Sequence, residues 1–283
     1  MFKNVVISNP LNFKKIKEKF KKDGAKKLHI LSDFERTLTY AFVKEEKVPS
    51  LISVLRSNEK YLGQDYAEKA QALFEKYHPI EIDPKIPLKE KKKKMEEWWM
   101  THFKLLIEKG LSKKHLKKVI QSGKIKLRKG SDEFFEILKN YKIPLIIISS
   151  SGLGEAISMF LKKEKKLFPN VFVISNKFIW DKRGRAIGVK KPIIHSLNKD
   201  ETMIKKFPFY KRIKKRKNVI LMGDNLEDVE MIKGFDFENL IKIGFLNEKV
   251  KENLEEYKKV YDVLITNDSS MEFVNELLKE ILL

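Results

Sequence analysis

The 283-residue sequence predicts an α/β fold: a doubly wound, mostly parallel sheet with an inserted α-helical cap domain. Three observations carry this expectation. After Gly130, short runs that are apolar along their whole length alternate with amphipathic helical segments, the pattern of a parallel sheet covered on both faces. One run of the same kind, Leu28 to Leu31, lies far upstream. The stretch between it and the next strand, from Pro49 to about Gln121, has helical periodicity throughout and no convincing strand. The helical block therefore reads as an insertion, residues 46–125, into a core made of residues 1–45 and 126–283.

Taken in order, Phe13 to Lys22 is a basic amphipathic helix that Gly24 closes. The strand Leu28 to Leu31 follows and ends at Ser32-Asp33, which sets a carboxylate at a strand's C-terminal end. In the insertion, apolar residues recur at helical spacing through Leu51/Ile52/Val54/Leu55, Tyr66 to Tyr77, Met95 to Lys109 and His115 to Ile120. Alternation then begins: helix Ser131 to Asn140, strand Pro144 to Ser149, helix Glu155 to Lys165, strand Val171 to Ser175. Phe178 to Trp180 and Ala186 to Gly188 pair as a hairpin around the turn Asp181-Lys182-Arg183-Gly184. Later strands are Asn218 to Met222, Leu240 to Phe245 and Asp262 to Thr266, with helices between and after them.

Composition excludes several classes. There is no cysteine, so thiol catalysis, zinc-thiolate sites and iron-sulfur ligation are ruled out. Hydrophobic residues make up 42% and aromatic residues 11%, too much for a disordered chain. The longest apolar stretch, Ile143 to Ile148, falls short of the roughly 18 residues a membrane span requires, and the first residues show no signal-peptide core, so the expectation is a cytoplasmic monomer. The net charge of +21 would suit nucleic acid, anionic lipid or a phosphorylated substrate, but a lysine-rich solvated surface accounts for it as well. The runs Lys89 to Lys94 and Lys211 to Lys217 accompany no nucleic-acid-binding module and read as solvated faces, which leaves nucleic acid a possible but not the favoured partner.

In an open α/β sheet, ligands bind beyond the carboxyl ends of the strands. The residues there are Asp33-Phe34-Glu35-Arg36-Thr37, Ser149-Ser150-Ser151-Gly152 and Gly223-Asp224-Asn225-Leu226-Glu227-Asp228, with Lys199 upstream of the last. Like charges a few ångström apart destabilise one another, so carboxylates that converge on one edge call for a cation. Magnesium is the expected ion, because oxygen ligands suit it and it also binds phosphate. The serine- and glycine-rich turn offers hydroxyls and backbone N–H groups to a phosphoryl oxygen. Taken singly, Asp33 and Asp224 could equally be helix N-caps, Glu81 a solvated loop carboxylate and Lys199 one lysine among many. The five histidines have no metal-ligand spacing, and the adjacent Trp98 and Trp99 cannot share one helix face.

Together these segments resemble the haloacid dehalogenase (HAD) superfamily, and within it the cytosolic pyrimidine 5′-nucleotidase family. Lys199 follows Ser150 by 49 residues, Asp224 follows Lys199 by 25, and Asp228 follows Asp224 by 4. The segments Tyr77 to Pro84, Glu97-Trp98-Trp99, Leu127 to Gly130, Ile194-His195 and Asn198-Lys199 are similar to signatures of that family. The resemblance implies a HAD-like Rossmannoid core and a magnesium-dependent 5′-nucleotidase that converts nucleoside, chiefly pyrimidine, 5′-monophosphates to nucleoside and phosphate through an aspartyl-phosphate. It makes Asp33 the nucleophile and Glu35 the general acid and base. Ser150, beside Ser151, and Lys199 would hold the phosphoryl group, while Asp33, the Glu35 carbonyl, Asp224 and Asp228 would serve the metal. Glu35 departs from the family pattern, which has aspartate there. In the cap, Glu81 would accept from a base's exocyclic amino group, which would favour cytidine monophosphate or a methylated guanosine monophosphate; Tyr40, Phe42 and Trp99 are candidates to stack on the base, and His102 replaces a small polar residue. Two alternatives remain open: a weakly active or non-catalytic relative that binds RNA or an acidic partner, and a phosphatase or phosphotransferase for other small phosphate esters.

Overall fold

The computed structural model describes residues 2–150, 153–199, 204–205, 207–233 and 235–283. The strands are β1 (Val5–Ile7), β2 (Leu28–Ser32), β3 (Phe42–Val43), β4 (Glu46–Lys47), β5 (Leu145–Ile148), β6 (Val171–Ile174), β7 (Phe178–Trp180), β8 (Ala186–Val189), β9 (Asn218–Gly223), β10 (Asn239–Leu246) and β11 (Val263–Thr266). Seven of them form one sheet in the order β1-β11-β10-β9-β2-β5-β6, parallel throughout except for β1 at its edge. Strand residues alternate between two apolar layers. Ile30, Ile147 and Ile220 pack on one face, and Leu31, Ile146 and Leu221 on the other. Burial on both faces is why these strands read as continuous apolar runs.

Register levels the functional edge. Ser32 of β2 lies opposite Ile147 of β5 and Met222 of β9, so the residues that follow these three central strands leave the sheet side by side. The sheet's first strand, β1, is too short for the sequence pattern to announce, and the helix after it starts earlier than expected, at Pro10, where the Asn9 side chain accepts from the Asn12 N–H at 3.0 Å.

Between β2 and β5, the helices Leu51–Arg56, Glu59–Leu62, Gln64–Ile82, Leu88–Glu108 and Lys113–Gln121 fill the expected helical block, with no strand among them. A hairpin, β3 with β4, precedes the block and crosses the expected boundary at residues 45 and 46. The chain segments that enter and leave the block pair with each other: Tyr40 N–H donates to Lys126 O at 3.0 Å, Arg128 N–H to Leu38 O at 3.1 Å, and Thr39 bridges Leu127 in antiparallel fashion. On the opposite side Leu197, from the core, packs into a cap cluster of Tyr77, Met95 and Trp98. The turn between β7 and β8 is held by Asp181, whose Oδ1 accepts from the backbone of Arg183 and Arg185. Among the described residues no helix is long and apolar enough to cross a membrane.

Candidate active site

Asp33 leaves β2, Asp224 leaves β9, and Asp228 sits in the first turn of the 3-10 helix Leu226–Ile232. One oxygen from each lies within 4.8 Å of the other two. The three are 5%, 9% and 3% exposed, and Lys199 beside them is 6% exposed. Lys199 Nζ lies 2.6 Å from Asp33 Oδ1 and 3.1 Å from Asp228 Oδ1. The ammonium thus bonds two of the three buried carboxylates, while Asp224 feels Arg36, Lys199 and Arg128 only through space. Burial acts first to push the Asp33 carboxyl well up, Lys199 pulls it back, and the neighbouring carboxylates push it up again. Asp224 is pushed up to about 7 by burial and then by Asp228. Burial alone would lower Lys199, but Asp228 and Asp33 outweigh it and keep the ammonium charged. An all-oxygen donor set short of positive charge fits a hard divalent cation such as magnesium.

The supporting contacts fix this geometry. Asp228 Oδ2 accepts from the backbone N–H groups of Asp224 and Asn225, both at 3.1 Å. Tyr257 donates its hydroxyl to Asp224 O at 2.9 Å, and Tyr261 donates to Asn225 O. A Cβ on Gly223 would lie 2.4 Å from Asp228 Cβ, so only glycine lets this turn approach so closely. The loop after Asp33 is held by Arg128. Its guanidinium donates to Thr37 O at 2.7 Å, Ser269 O at 2.6 Å, Asn247 Oδ1 at 2.8 Å and Asp268 Oδ1 at 2.9 Å, and also to Arg36 O. Burial lowers the Arg128 pKa to about 10 while Asp268 works to raise it, so the side chain remains charged. In the sequence Arg128 is marked only by its place in the Leu127 to Gly130 segment; its buried position is set by chain segments about 90 and 140 residues away, which no local pattern reveals.

Glu35 stands apart. Its Oε1 accepts from the Leu51 N–H at 3.3 Å and its Oε2 from Ser149 Oγ at 2.9 Å, so the carboxylate joins the end of β5 to the first residue of the first cap helix. The carboxylate of Glu35 therefore does not belong to the cluster of Asp33, Asp224 and Asp228.

Over this edge lies a cavity of about 600 Å³. Asp33, Glu35, Ser150, Lys199 and Asp224 line it from the core, and Arg56, Phe74, His78, Glu81, Trp98, Trp99 and His102 line it from the cap. Ser151 lies outside the described residues. Glu81 is a helical residue rather than a loop carboxylate: one oxygen accepts from Ser196 Oγ and the other lies 3.2 Å from His78 Nδ1. Burial raises its pKa, but the His78 and Ser196 hydrogen bonds outweigh that and lower it. His102 Nε2 lies 3.0 Å from the Tyr66 hydroxyl, and burial, then the charge of Arg56, pushes the imidazole down to about 4. Trp99 stacks beside both Trp98 at 6.0 Å and His102 at 6.3 Å.

Of the adjacent indoles Trp98 is the core residue, packed with Tyr77 and Met95, and Trp99 is its half-buried neighbour; their directions on the helix differ, and both line the cavity. One expectation is corrected here. Tyr40 and Phe42 do not line the cavity: the Tyr40 hydroxyl accepts from the Lys129 N–H, and Phe42 belongs to the β3–β4 hairpin. Phe74 and Arg56 went unnoticed in the sequence. The spacing of Phe74, His78 and Glu81, which puts them on one helix face, is a signal that could have found the first.

Comparison with known proteins agrees with this geometry. The sequence model described as pyrimidine 5′-nucleotidase (UMPH-1) matches residues 36–282, a span that begins just after Glu35. The 7-methylguanosine phosphate-specific 5′-nucleotidase A of Xenopus laevis is 36% identical over 234 residues, covering 82% of this chain and 80% of the relative. A crystal structure of cytosolic 5′-nucleotidase IIIB bound to cytidine superposes with a TM-score of 0.87 at 29% identity, covering 99% of this chain and 94% of that one. A phosphoserine phosphatase, solved as an analogue of its phospho-aspartyl intermediate, matches with a TM-score of 0.51 at 17% identity over 88% of this chain and 97% of that one, a likeness of fold alone. With the family match running through nearly the whole insertion and core, this chain belongs to the pyrimidine 5′-nucleotidase family and carries its haloacid dehalogenase fold.

Proposed function

We propose that the protein is a magnesium-dependent 5′-nucleotidase that hydrolyses nucleoside 5′-monophosphates, pyrimidine ones in particular, through Asp33. The observation that carries this reading is the buried Lys199, which bridges Asp33 and Asp228 at the floor of a cavity whose other wall is aromatic. The floor suits a phosphate and the wall a base. Residues 1–45 and 126–283 act as the catalytic core and 46–125 as the cap that grips the nucleoside. The cytosolic name of the solved relative supports a cytoplasmic setting, and we infer that the chain acts as a monomer.

In the reaction, an Asp33 carboxylate oxygen forms a bond to phosphorus as the bond from phosphorus to the nucleoside 5′-oxygen breaks. Glu35 gives that oxygen a proton, and the nucleoside leaves. Covalent catalysis of this kind splits one difficult displacement into two easier ones. Water then attacks the aspartyl-phosphate, Glu35 takes back a proton, and phosphate departs with Asp33 restored. Ser150 and Lys199 hold the phosphoryl oxygens and stabilise their charge throughout. Asp33 and Asp224 would hold magnesium, with Asp228 orienting them, and the ion when bound supplies positive charge to the phosphoryl oxygens. Glu81, Trp99 and His102 face the nucleoside.

The test is phosphate release from a panel of nucleoside 5′-monophosphates, with magnesium and with chelator, in the parent and in Asp33→Asn. Magnesium-dependent release that vanishes in Asp33→Asn is expected. Silence across the panel in folded protein would overturn the reading and turn attention to the basic surface.

A further inference from the structure

The cap wall holds a cation that the nucleotidase reading leaves unused. Arg56 ends the first cap helix, is half-buried, and lines the cavity. Its guanidinium carbon lies 4.1 Å from the centroid of the Phe74 ring, and among the described residues its hydrogen-bond partner is Ser53 Oγ, at a long 3.4 Å. Among the described residues no carboxylate lies within ion-pair distance of it. An arginine keeps its charge in proteins, and its planar fork presents five N–H donors. Nearby, the indole N–H of Trp98, which lines the same cavity, is buried without a partner among the described residues. The opposite charge in this wall, Glu81, already takes Ser196 and His78. The wall thus has donors to spare and its acceptor is engaged.

We propose that Arg56 sets the base specificity of this site: it donates to a hydrogen-bond acceptor on an uncharged base, and it turns the site away from an N7-methylated purine. The inference rests on the nucleotidase reading and deepens it. Uracil offers its two carbonyl oxygens as acceptors, and cytosine a carbonyl oxygen and the ring nitrogen N3. In 7-methylguanine the N7 acceptor is blocked and the ring carries a positive charge, which the half-buried guanidinium repels. This chain therefore differs in preference from relatives whose names specify 7-methylguanosine phosphate.

The experiment measures kcat/KM for uridine, cytidine and 7-methylguanosine 5′-monophosphates in the parent, Arg56→Met and Arg56→Lys. A ratio between two substrates is independent of how much enzyme is folded. The parent should favour the pyrimidines. In Arg56→Met that ratio should fall about tenfold or more, mainly through KM, as expected for losing a hydrogen bond from a charged donor. Arg56→Lys, which keeps the charge but not the fork, should fall between. A parent that prefers the methylated substrate, or a ratio unmoved in Arg56→Met, overturns the proposal. Calorimetric binding of uridine and 7-methylguanosine reads the same ratio without turnover. Absence of hydrolysis would then refute the catalytic reading, while the binding ratio still decides the role of Arg56.

Discussion

Shortening Glu35 by one methylene is the most informative perturbation of the site. Its carboxylate reaches Ser149 Oγ at 2.9 Å and the Leu51 N–H at 3.3 Å. Glu35→Asp withdraws the group by up to a carbon–carbon bond, about 1.5 Å, which stretches these contacts to roughly 4.4 and 4.8 Å, past any hydrogen bond. Two effects follow. A proton donor displaced on the order of 1 Å costs about a hundredfold in rate. The first cap helix also loses an acceptor at its N-terminus, about 1 kcal/mol of stability. The expected result is a kcat lowered by about a hundredfold on the best nucleotide, with a small drop in melting temperature. The assay is steady-state phosphate release with magnesium, beside a thermal melt. Glu35→Asp as active as the parent would show that the glutamate length is immaterial, and Glu35→Gln with full activity would remove proton transfer from its role.

Four further outcomes are expected. Arg128→Met strips the loop after Asp33 of its buried donors and leaves Asp268 without its cation, held only by the Ala41 and Phe42 N–H groups, at a cost of about 3–5 kcal/mol, so thermal melts should fall by roughly 10 °C and an unchanged melt would refute the assignment. Gly223→Ala forces Asp228 away from a Cβ it would meet at 2.4 Å; calorimetric magnesium affinity should drop, and affinity equal to the parent's would contradict this. Buried His29, His102 and His195 are each pushed down to about 4, chiefly by burial, so the unfolded chain takes up protons first as pH falls below 6.5. Their stability contribution is whole above that pH and lost toward pH 4, at about 1.4 kcal/mol per unit for each histidine. In urea melts between pH 6.5 and 4.5, His29→Gln should flatten the slope by about that amount, and an identical slope in parent and variant would refute the cause. Because Asp224 is pushed up to about 7, protons compete with the ion below that pH. Magnesium should therefore raise the melting temperature more at pH 8 than at pH 5, and equal shifts would argue against these ligands.

The legible parts of the fold were those where burial writes itself into a run of side chains. β2, β5 and β9 are buried along their whole length, and each ends in the polar residues that form the site. β1 has three half-buried residues, too few to show a period. The β3–β4 hairpin turns through Lys44 and Glu45, both at positive φ where glycine or asparagine is the usual signal, so its turn is chemically silent. Lys199 was legible only through its spacing from Ser150 and Asp224, since lysine and arginine together number 60. Arg56 and Arg128 were not legible, because what distinguishes them is burial created by segments distant in the chain.

The paired segments at Leu38 to Tyr40 and Lys126 to Arg128 have a consequence for how such a protein can change. Seen from the sheet, the whole helical block is a loop whose two ends already touch, like the tip of a hairpin. The entropic cost of closing a loop grows only with the logarithm of its length, about 0.6 kcal/mol for each doubling. Exchanging this block for a shorter or longer one would therefore disturb the sheet little, with Arg128 pinning the outgoing end to the loop after Asp33. A new helical block can be exchanged at this stem provided that it again offers the Glu35 carboxylate a backbone N–H where Leu51 now does.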